Sequence, residues 1–333
     1  MYSFLDSLKH SAAYSHVTGE IILLQTHISY VFVTGDYVYK IKKPVDFGFL
    51  DFTSLAKRKY FCEEELRLNS RLCPEIYLEV VPITCTDKKF SVAGDSGEIV
   101  EYAVKMVRMP EGRMMNNLIS AGKFKPEGID GIVDRLLPFY STPSEDSVAG
   151  KWASSDAVGR NFRENFQQTE QFVGDPALSG DCFSGICSYT EDFLAQDDLF
   201  RKRQEDGRIY DGHGDLHSAN ICLADKVYIF DCIEFNQRFR YCDVASDVAF
   251  LAMDLDHYGL EQLSDQFVAS FSEQTNDPGL YSMLNFYKCY RAYVRGKISL
   301  FTAHALEVDS ITKSFSMERA GRYFELAWRY ARG

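Results

Sequence analysis

Features that mark several common protein classes are scarce or missing in this chain of 333 residues. Its nine cysteines include no Cys-x-x-Cys pair and are odd in number, so neither a zinc site nor a disulfide framework is indicated. No apolar run reaches the roughly 18–20 residues that a membrane span needs, and the first residues lack the basic start of a signal peptide. These absences predict a cytoplasmic protein with reduced thiols and no membrane partner.

Positive charge is also in short supply. Lysine and arginine total 36 against 48 aspartates and glutamates, which gives a net charge of −12. Nucleic-acid-binding domains are usually basic, so no nucleic-acid partner is expected. A polyanionic ligand would have to be held by a few local cations and backbone amides, because the overall field is negative.

The chain is long enough for two lobes, each with its own core, and its two parts differ in pattern. The first part is rich in β-branched and aromatic residues, with one amphipathic helix expected at 55–72. Gly35-Asp36 separates two extended runs, as in a hairpin. Further strands are expected at 21–26, 30–34, 37–42, 77–84, 90–93 and 98–108.

From about residue 116 the pattern is mostly helical, with strong helices at 284–300 and 316–331 and polar loops near 141–155 and 174–185. A short extended patch interrupts it at 221–223 and 227–230. We therefore predict an α+β fold with a strand-rich N-terminal lobe, residues 1–109, and a helical C-terminal lobe, residues 110–333.

One segment holds the residues that phosphoryl transfer requires. His213-Gly-Asp-Leu-His-Ser-Ala-Asn220 places Asp215 five residues before Asn220, which is the spacing of the kinase catalytic loop. Asp231 follows the apolar run 227–230, and a short hairpin would return it to the mouth of this loop. Hard carboxylate and amide oxygens suit Mg²⁺. We predict Asp215 as the catalytic base, and Asn220 and Asp231 as ligands of Mg²⁺ for ATP.

The same segment resembles the Brenner-type motif of aminoglycoside phosphotransferases and of choline and homoserine kinases. Val38-Tyr-Lys-Ile-Lys-Lys-Pro44, Phe49-Leu-Asp-Phe-Thr-Ser54 and Asp231-Cys-Ile-Glu-Phe-Asn236 resemble more closely an uncharacterised bacterial branch of that superfamily. The resemblance covers nearly the whole chain. It implies a two-lobe, protein-kinase-like fold and an ATP- and Mg²⁺-dependent phosphotransferase acting on a hydroxyl of a small-molecule substrate. Members of the branch are often fused to a P-loop, gluconate-kinase-like domain, whose Gly-x-x-x-x-Gly-Lys-Ser/Thr motif does not occur here.

Several other interpretations are open. A nucleotide-binding pseudokinase without turnover would not need the base Asp215. Gly214-Asp-Leu-His217 resembles the first motif of metallophosphatases, but the sequence contains no Gly-Asn-His-Asp partner for it. A protein kinase is disfavoured because no glycine-rich loop is present. The segment could also be a polar turn whose side chains cap local backbone.

The strand at 37–42 supplies the candidate phosphate-binding lysine. Lys40 corresponds to the lysine of a kinase Val-Ala-Ile-Lys strand, and Lys42, on the same face, is the alternative. Such a lysine usually pairs with a helix glutamate, for which we select Glu65. Residues 106–110 resemble the hinge, so Met106 and Met109 are candidates for the adenine site.

The remaining candidates surround the catalytic loop. His213 and His217 are expected to organise it by hydrogen bonds, and the resemblance implies that Asp247 braces it. Arg291 and Arg295 share a helix face with Lys288, where they either bind an anionic group of the substrate or form structural ion pairs. Glu234 is either a second-metal ligand through water or a surface carboxylate. The phosphate acceptor itself is not determined by the sequence.

Overall fold

The structure is a computed structural model that describes residues 4–306 and 308–333. The chain divides into two compact units, the first comprising Met1–Asn117 with Ile221–Gln237 and the second Leu118–Asn220 with Arg238–Gly333. This division differs from the predicted boundary at residue 109, because 110–117 and 221–237 belong to the first unit. The start of the predicted N-terminal lobe, residues 1–3, lies outside the described residues.

The first unit contains a six-stranded sheet in which every neighbouring pair of strands is antiparallel, in the order β1-β2-β3-β6-β4-β5. Three of the five neighbouring pairs, β1–β2, β2–β3 and β4–β5, join consecutive strands, which local sequence patterns predict well. The central strands β3 and β6 pair Val38 with Met106 and Lys40 with Val104. The strands are β1 (Ile21–Gln25), β2 (Ser29–Thr34), β3 (Tyr37–Lys42), β4 (Tyr77–Thr86), β5 (Lys89–Val92) and β6 (Glu98–Val107).

Helix α2 (Leu55–Asn69) packs on this sheet; the short α1 (Phe4–Ser7) precedes it in the chain. Ser54 caps its start by accepting a hydrogen bond from the backbone amide of Lys57 at 3.2 Å. The helix ends slightly before the predicted residue 72.

The segment 221–237 joins the first unit through a small hairpin. Strands β8 (Ile221–Leu223) and β9 (Val227–Ile229) pair Ile221 with Ile229, as the extended patch in the sequence predicted. Cys222 and Tyr228 of this hairpin are buried in one cluster with Cys62 of α2 and Val104 of β6. Burial of these side chains explains why the hairpin belongs to the first unit although it lies far along the chain.

The second unit is mainly helical. The helix α10 is buried along nearly its whole length, since α11 and α12 both pack against it. Two helices occupy predicted loop regions, α5 and the beginning of α7, and a serine cap, Ser179, starts α7. The helices are α3 (Met115–Ser120), α4 (Glu127–Leu136), α5 (Asp146–Trp152), α6 (Ser155–Thr169), α7 (Gly180–Leu194), α8 (Asp197–Glu205), α9 (Gln237–Arg240), α10 (Val244–His257), α11 (Glu261–Gln274), α12 (Leu280–His304) and α13 (Ser310–Arg332). Two short strands, β7 (Ile209–Asp211) and β10 (Tyr241–Asp243), pair antiparallel.

The predicted fold class, a strand-rich lobe and a helical region, is confirmed. None of the helices in the part of the chain that the structure describes is both long enough and apolar enough to cross a membrane.

Candidate active site

The predicted catalytic loop begins directly after β7, and two glycines allow its path. Gly214 has a left-handed backbone with φ of 82°, a region that side-chain-bearing residues rarely adopt. A Cβ atom at Gly212 would lie 2.5 Å from the Oδ2 atom of Asp247. The glycines at 212 and 214 are therefore required for the loop to approach α10.

Asp247 holds this loop from α10. Its fully buried carboxylate accepts hydrogen bonds from the backbone amides of His213 at 2.7 Å and Gly214 at 2.9 Å. The hydroxyl of Tyr140 donates to it at 2.7 Å. Such a buried, multiply bonded carboxylate restrains the backbone on which Asp215 sits. The structure thus places Asp247 in the bracing position that the resemblance implied.

A second brace, Asp254, was missed by the sequence analysis. Its carboxylate accepts hydrogen bonds from both the backbone amide and the hydroxyl of Ser218. Asp254 lies seven residues after Asp247 on α10, which places the two carboxylates on the same helix face. The signal that could have found it is the spacing of these two acids, two turns apart and separated only by apolar residues.

Asp215 projects from the braced loop with about a third of its side chain exposed. Asn220 donates through Nδ2 to the backbone carbonyl of Asp215 at 2.9 Å and to its carboxylate at 3.2 Å. Nε2 of His217 lies 3.4 Å from Oδ2 of Asp215, while Nδ1 accepts from the amide of Ala219. Burial raises the pKa of Asp215, but the opposing effects of His217 and Arg295 outweigh it and lower that pKa. The carboxylate is therefore ionised at neutral pH.

His213 and His217 both support the loop. His213 is fully buried, and its Nδ1 accepts from the amide of Asp215 at 3.2 Å. His217 packs on the ring of Phe250, with the ring centroids 5.3 Å apart.

The two predicted substrate arginines differ in their surroundings. Arg291 is buried; it donates to the carbonyls of Gly214 at 2.8 Å and Ser246 at 3.2 Å, and lies 3.5 Å from Asp247. Because its donors are occupied by the loop and α10, the structure corrects its assignment from substrate binding to bracing. Lys288 on the same face pairs with Asp256 at 2.9 Å.

Arg295 follows Arg291 by one turn on α12 and also lies near the predicted catalytic loop. Burial lowers the pKa of Arg295, but Tyr323, Asp215 and Asp254 outweigh it and raise that pKa. Its guanidinium stands 5.9 Å from the ring centroid of Tyr323 on α13. Arg295 therefore differs from Arg291 in making no hydrogen bond to the loop among those the structure describes, and its contact with a substrate stays a prediction.

In the first unit, Lys40 and Lys42 both reach Glu65 on α2. The Nζ atom of Lys40 is 2.8 Å from Oε1 of Glu65, and that of Lys42 is 2.5 Å from Oε2. The charges of both lysines outweigh burial and lower the pKa of Glu65. Lys42 is fully buried and also pairs with Glu234, whereas Lys40 is partly accessible. Accessibility favours Lys40 as the lysine that can meet a ligand.

Asp231 is the second partner of Lys40, at 2.5 Å, and its carboxylate is 40% exposed. Its backbone is left-handed, with φ of 66°, which is uncommon for a residue with a side chain. The turn is held by Tyr77, whose hydroxyl accepts from the amide of Asp231 at 3.2 Å, and by Asn69, which accepts from Cys232 at 2.8 Å. Strained backbone of this kind tends to persist at functional positions.

Glu234 does not lie at the surface, contrary to one of the two expectations. It is buried, and burial raises its pKa despite the charge of Lys42. Its pairing with Lys42 makes it part of the lysine–glutamate network, a role that a single sequence does not reveal.

The candidate metal ligands have the chemistry that Mg²⁺ prefers. Asp231 offers a carboxylate, and Asn220 offers its amide oxygen because its amide nitrogen is directed at Asp215. Within the described residues, no group of three or more His, Cys, Asp or Glu side chains is arranged to hold a metal. Mg²⁺ in nucleotide sites usually takes only one or two protein carboxylates and completes its shell with phosphates and water, so this donor set fits.

The predicted adenine-site residues belong to the first unit. Met106 lies in β6, paired with Val38 on one side and Tyr77 on the other, and Met109 follows the strand. Both side chains pack at the cluster that contains Cys62. The β1–β2 turn is closed by Thr26, whose hydroxyl accepts from the amide of Ser29 at 2.9 Å, so a glycine-free turn is formed there. Contact of these residues with a nucleotide stays a prediction.

Comparison with known sequences identifies relatives without an assigned activity. No protein-family model matches the chain. Uncharacterized proteins of Mycobacterium bovis and Mycobacterium tuberculosis are 32% identical over 286 residues. The match covers 85% of this chain and 55% of theirs, so the chain spans about half the length of the curated relatives it matches.

Comparison with solved structures gives matches across the chain at low sequence identity. The GDP complex of wild-type aminoglycoside 2'-phosphotransferase-IIIa has a TM-score of 0.53 at 12% identity and covers 93% of this chain and 94% of that one. The ethanolamine kinase of Plasmodium vivax has a TM-score of 0.50 at 11% identity and covers 91% and 81%. The resemblance stated from the sequence is thereby confirmed at the level of the fold. The chain has the fold of the aminoglycoside phosphotransferases and ethanolamine kinases.

Proposed function

We propose that the chain is a phosphotransferase that uses ATP and Mg²⁺ to phosphorylate a hydroxyl group of a small metabolite. The observation that carries this proposal is the state of Asp215. An ionised, partly exposed carboxylate projects from a loop whose backbone is held by Asp247 and Asp254. A turn with a purely structural role has no need of an exposed carboxylate restrained in this way.

In the proposed reaction, Asp215 orients the acceptor hydroxyl by accepting a hydrogen bond from it. The hydroxyl oxygen forms a bond to the γ-phosphorus, the bond between that phosphorus and the bridging oxygen breaks, and ADP leaves. The hydroxyl proton passes to Asp215 and then to solvent. Because the lowered pKa makes Asp215 a weak base, orientation contributes more than early proton removal, as expected for a loose phosphoryl-transfer transition state.

Lys40 and Asp231 are proposed to separate when the nucleotide binds. Lys40 would turn from Asp231 to a phosphate while Glu65 retains it, and Asp231 would become free to bind the metal. Asn220 is the other proposed metal ligand, through its amide oxygen. Mg²⁺, when bound, neutralises phosphate charge. Lys42 would stay with Glu65 and Glu234 and keep Glu65 in place.

The proposal that the ligand is a nucleotide also has support from the comparisons. A solved structure of the same fold is a GDP complex. Parallel assays of GDP release from GTP, beside the ADP release described below, decide whether ATP or GTP is preferred.

The test is ADP release by purified protein against a panel of sugars, sugar acids, amino alcohols and nucleosides, with wild type, Asp215→Asn and Asp265→Asn compared. Loss of a general base costs about 10²- to 10⁴-fold, so Asp215→Asn should lose turnover by that factor and retain ATP affinity. Asp265 is an exposed acid on α11 and serves as the matched control. Nucleotide binding without turnover on any acceptor would refute the phosphotransferase and leave the pseudokinase.

A further inference from the structure

Two arginines of the second unit, one on α12 and one on α13, make no close ion pair with the acids that the structure describes. Arg295 lies on α12 and Arg319 on α13, and both are partly buried. Among the described residues, ion pairs within 4.0 Å engage Lys288 and Arg291 of α12 but neither Arg295 nor Arg319. Because the chain has a net charge of −12, this lack of close ion pairs does not come from a shortage of acidic residues. We refer to Arg295 and Arg319 as the arginine pair.

The two arginines lie on packed helices, and Arg319 contacts Ser299, which follows Arg295 by one turn on the same face of α12. Burial and the charge of Arg295 both lower the pKa of Arg319. Arg319 is positioned by neutral groups: its Nε donates to the hydroxyl of Ser299 at 3.0 Å, and its guanidinium lies 5.7 Å from the ring centroid of Phe315. Repulsion between two partly desolvated guanidinium groups costs free energy, which an anion between them would recover.

The arginine pair is located on the side of the proposed base. Arg291, one turn before Arg295 on the same face of α12, donates to the carbonyl of Gly214, the residue that precedes Asp215, at 2.8 Å. An acid near Arg295 is Asp254, whose carboxylate is already engaged by the amide and hydroxyl of Ser218. An acceptor whose hydroxyl reaches Asp215 would therefore bring its remaining groups toward positive charge.

We propose that Arg295 and Arg319 bind an anionic group of the phosphate acceptor, so that the acceptor is a hydroxyl compound bearing a carboxylate or a phosphate, such as a sugar acid or a sugar phosphate. Planar guanidinium groups match both anions through paired hydrogen bonds. A polycationic acceptor is disfavoured, because its charges would meet the arginine pair in a partly desolvated position. The inference rests on the proposed function for the role of Asp215.

The first arm of the test measures binding without nucleotide. Calorimetric titrations measure the binding of inorganic phosphate and of three matched probes, D-glucose 6-phosphate, D-gluconate and D-glucose. Each ligand is titrated into wild type, Arg319→Gln, Arg319→Lys and Arg329→Gln. Arg329 lies on the same helix, is exposed and carries the same charge, so Arg329→Gln controls for the general electrostatic effect of removing one positive charge. The anions should bind wild type more tightly than D-glucose, and Arg319→Gln should weaken them about tenfold, the loss expected for one charged hydrogen-bonding partner. Arg319→Lys, which keeps the charge, should lose less, and Arg329→Gln should bind as wild type does.

The second arm measures ADP release with the same probes and with kanamycin. Arg319→Gln should raise KM for an anionic acceptor about tenfold and change kcat little, since the arginine contacts a group remote from the reacting hydroxyl. Stronger turnover of phosphorylated or of carboxylated acceptors distinguishes the two anions.

The outcomes separate the two proposals. Arginine-dependent anion binding without turnover would overturn the phosphotransferase and keep the anion site. Turnover that favours a neutral or cationic acceptor and is unaffected by Arg319→Gln would overturn the anion site and keep the phosphotransferase. Equal binding of the anions to wild type and Arg319→Gln would also overturn it.

Discussion

Replacing Asp247 by asparagine tests whether the catalytic loop depends on its buried brace. One oxygen of Asp247 accepts from Tyr140 and from the amide of His213, and the other accepts from Gly214 and lies near Arg291. In either orientation, the new amide nitrogen of Asp247→Asn would face two donors. At least one buried backbone amide would lose its acceptor, and the charge of Arg291 would lose its compensation.

The magnitude follows from these lost contacts. An unsatisfied buried donor costs about 1–3 kcal/mol, and removing one member of a buried charge pair costs up to about 3–5 kcal/mol. Because the bond to Tyr140 can re-form by rotation of its hydroxyl, we expect a loss of about 2–4 kcal/mol. For a domain of 150–250 residues, about 1 kcal/mol shifts the melting midpoint by about 2–4 °C, so the midpoint should fall by roughly 4–16 °C. Misplacement of Asp215 should also lower turnover by about 10- to 100-fold.

The assay combines thermal unfolding, followed by circular dichroism, with ADP release at a temperature well below the midpoint. Asp265→Asn makes the same chemical change at an exposed site of α11, where substitutions usually stay within about 0.5 kcal/mol. An Asp247→Asn protein with an unchanged midpoint and turnover close to wild type would show that the loop holds its geometry without the brace.

Three further predictions concern the first unit's charges and one titratable group. Asp231→Ala should abolish Mg²⁺-dependent ATP binding in calorimetry while the circular dichroism spectrum stays native; unchanged MgATP affinity would contradict its metal role. Lys42→Met should lower the unfolding midpoint more than Lys40→Met does, because it leaves the buried carboxylate of Glu234 without its paired cation. Lys40→Met should mainly weaken ATP binding. The reverse ranking of the two variants would exchange the two assignments. Burial and nearby arginines lower the pKa of His257 from 6.5 to about 4, so the unfolded chain binds more protons between these values and stability falls as the pH drops through that window. His257→Phe should reduce the loss between pH 7 and pH 5 by roughly 1–2 kcal/mol in urea unfolding, and parallel pH dependences of the two proteins would exclude this role.

Local patterns allowed much of the first unit to be predicted. Consecutive antiparallel strands and the capped helix α2 depend on residues that are neighbours in sequence, so alternation, turn glycine and the Ser54 cap were sufficient. In the second unit, the segment 141–155 was predicted as a loop but contains helix α5, because this helix is short and its sequence pattern is weak.

The candidate site was likewise predicted well where it depends on residues that are close in sequence, and poorly elsewhere. Asp215 and Asn220 lie in one loop, so their spacing could be taken from the sequence. The alternation of side chains along β3 predicted that Lys40 and Lys42 share one face, from which both reach Glu65. Lys42 is buried and Lys40 is partly accessible because of the segments that pack around each of them, and no local sequence pattern contains that information.

The sequence by itself determined the kinase-like fold class, the composition of the catalytic loop and the oxygen ligands available to a metal. Only the tertiary structure decided that Arg291 donates to the loop, that Arg295 forms no ion pair within 4.0 Å among the described residues, and that Asp254 accepts from Ser218. The reason is physical: chemistry and local geometry belong to a residue and its near neighbours. Burial, counter-charges and hydrogen-bond partners come from segments far apart in the chain, which meet only when it folds.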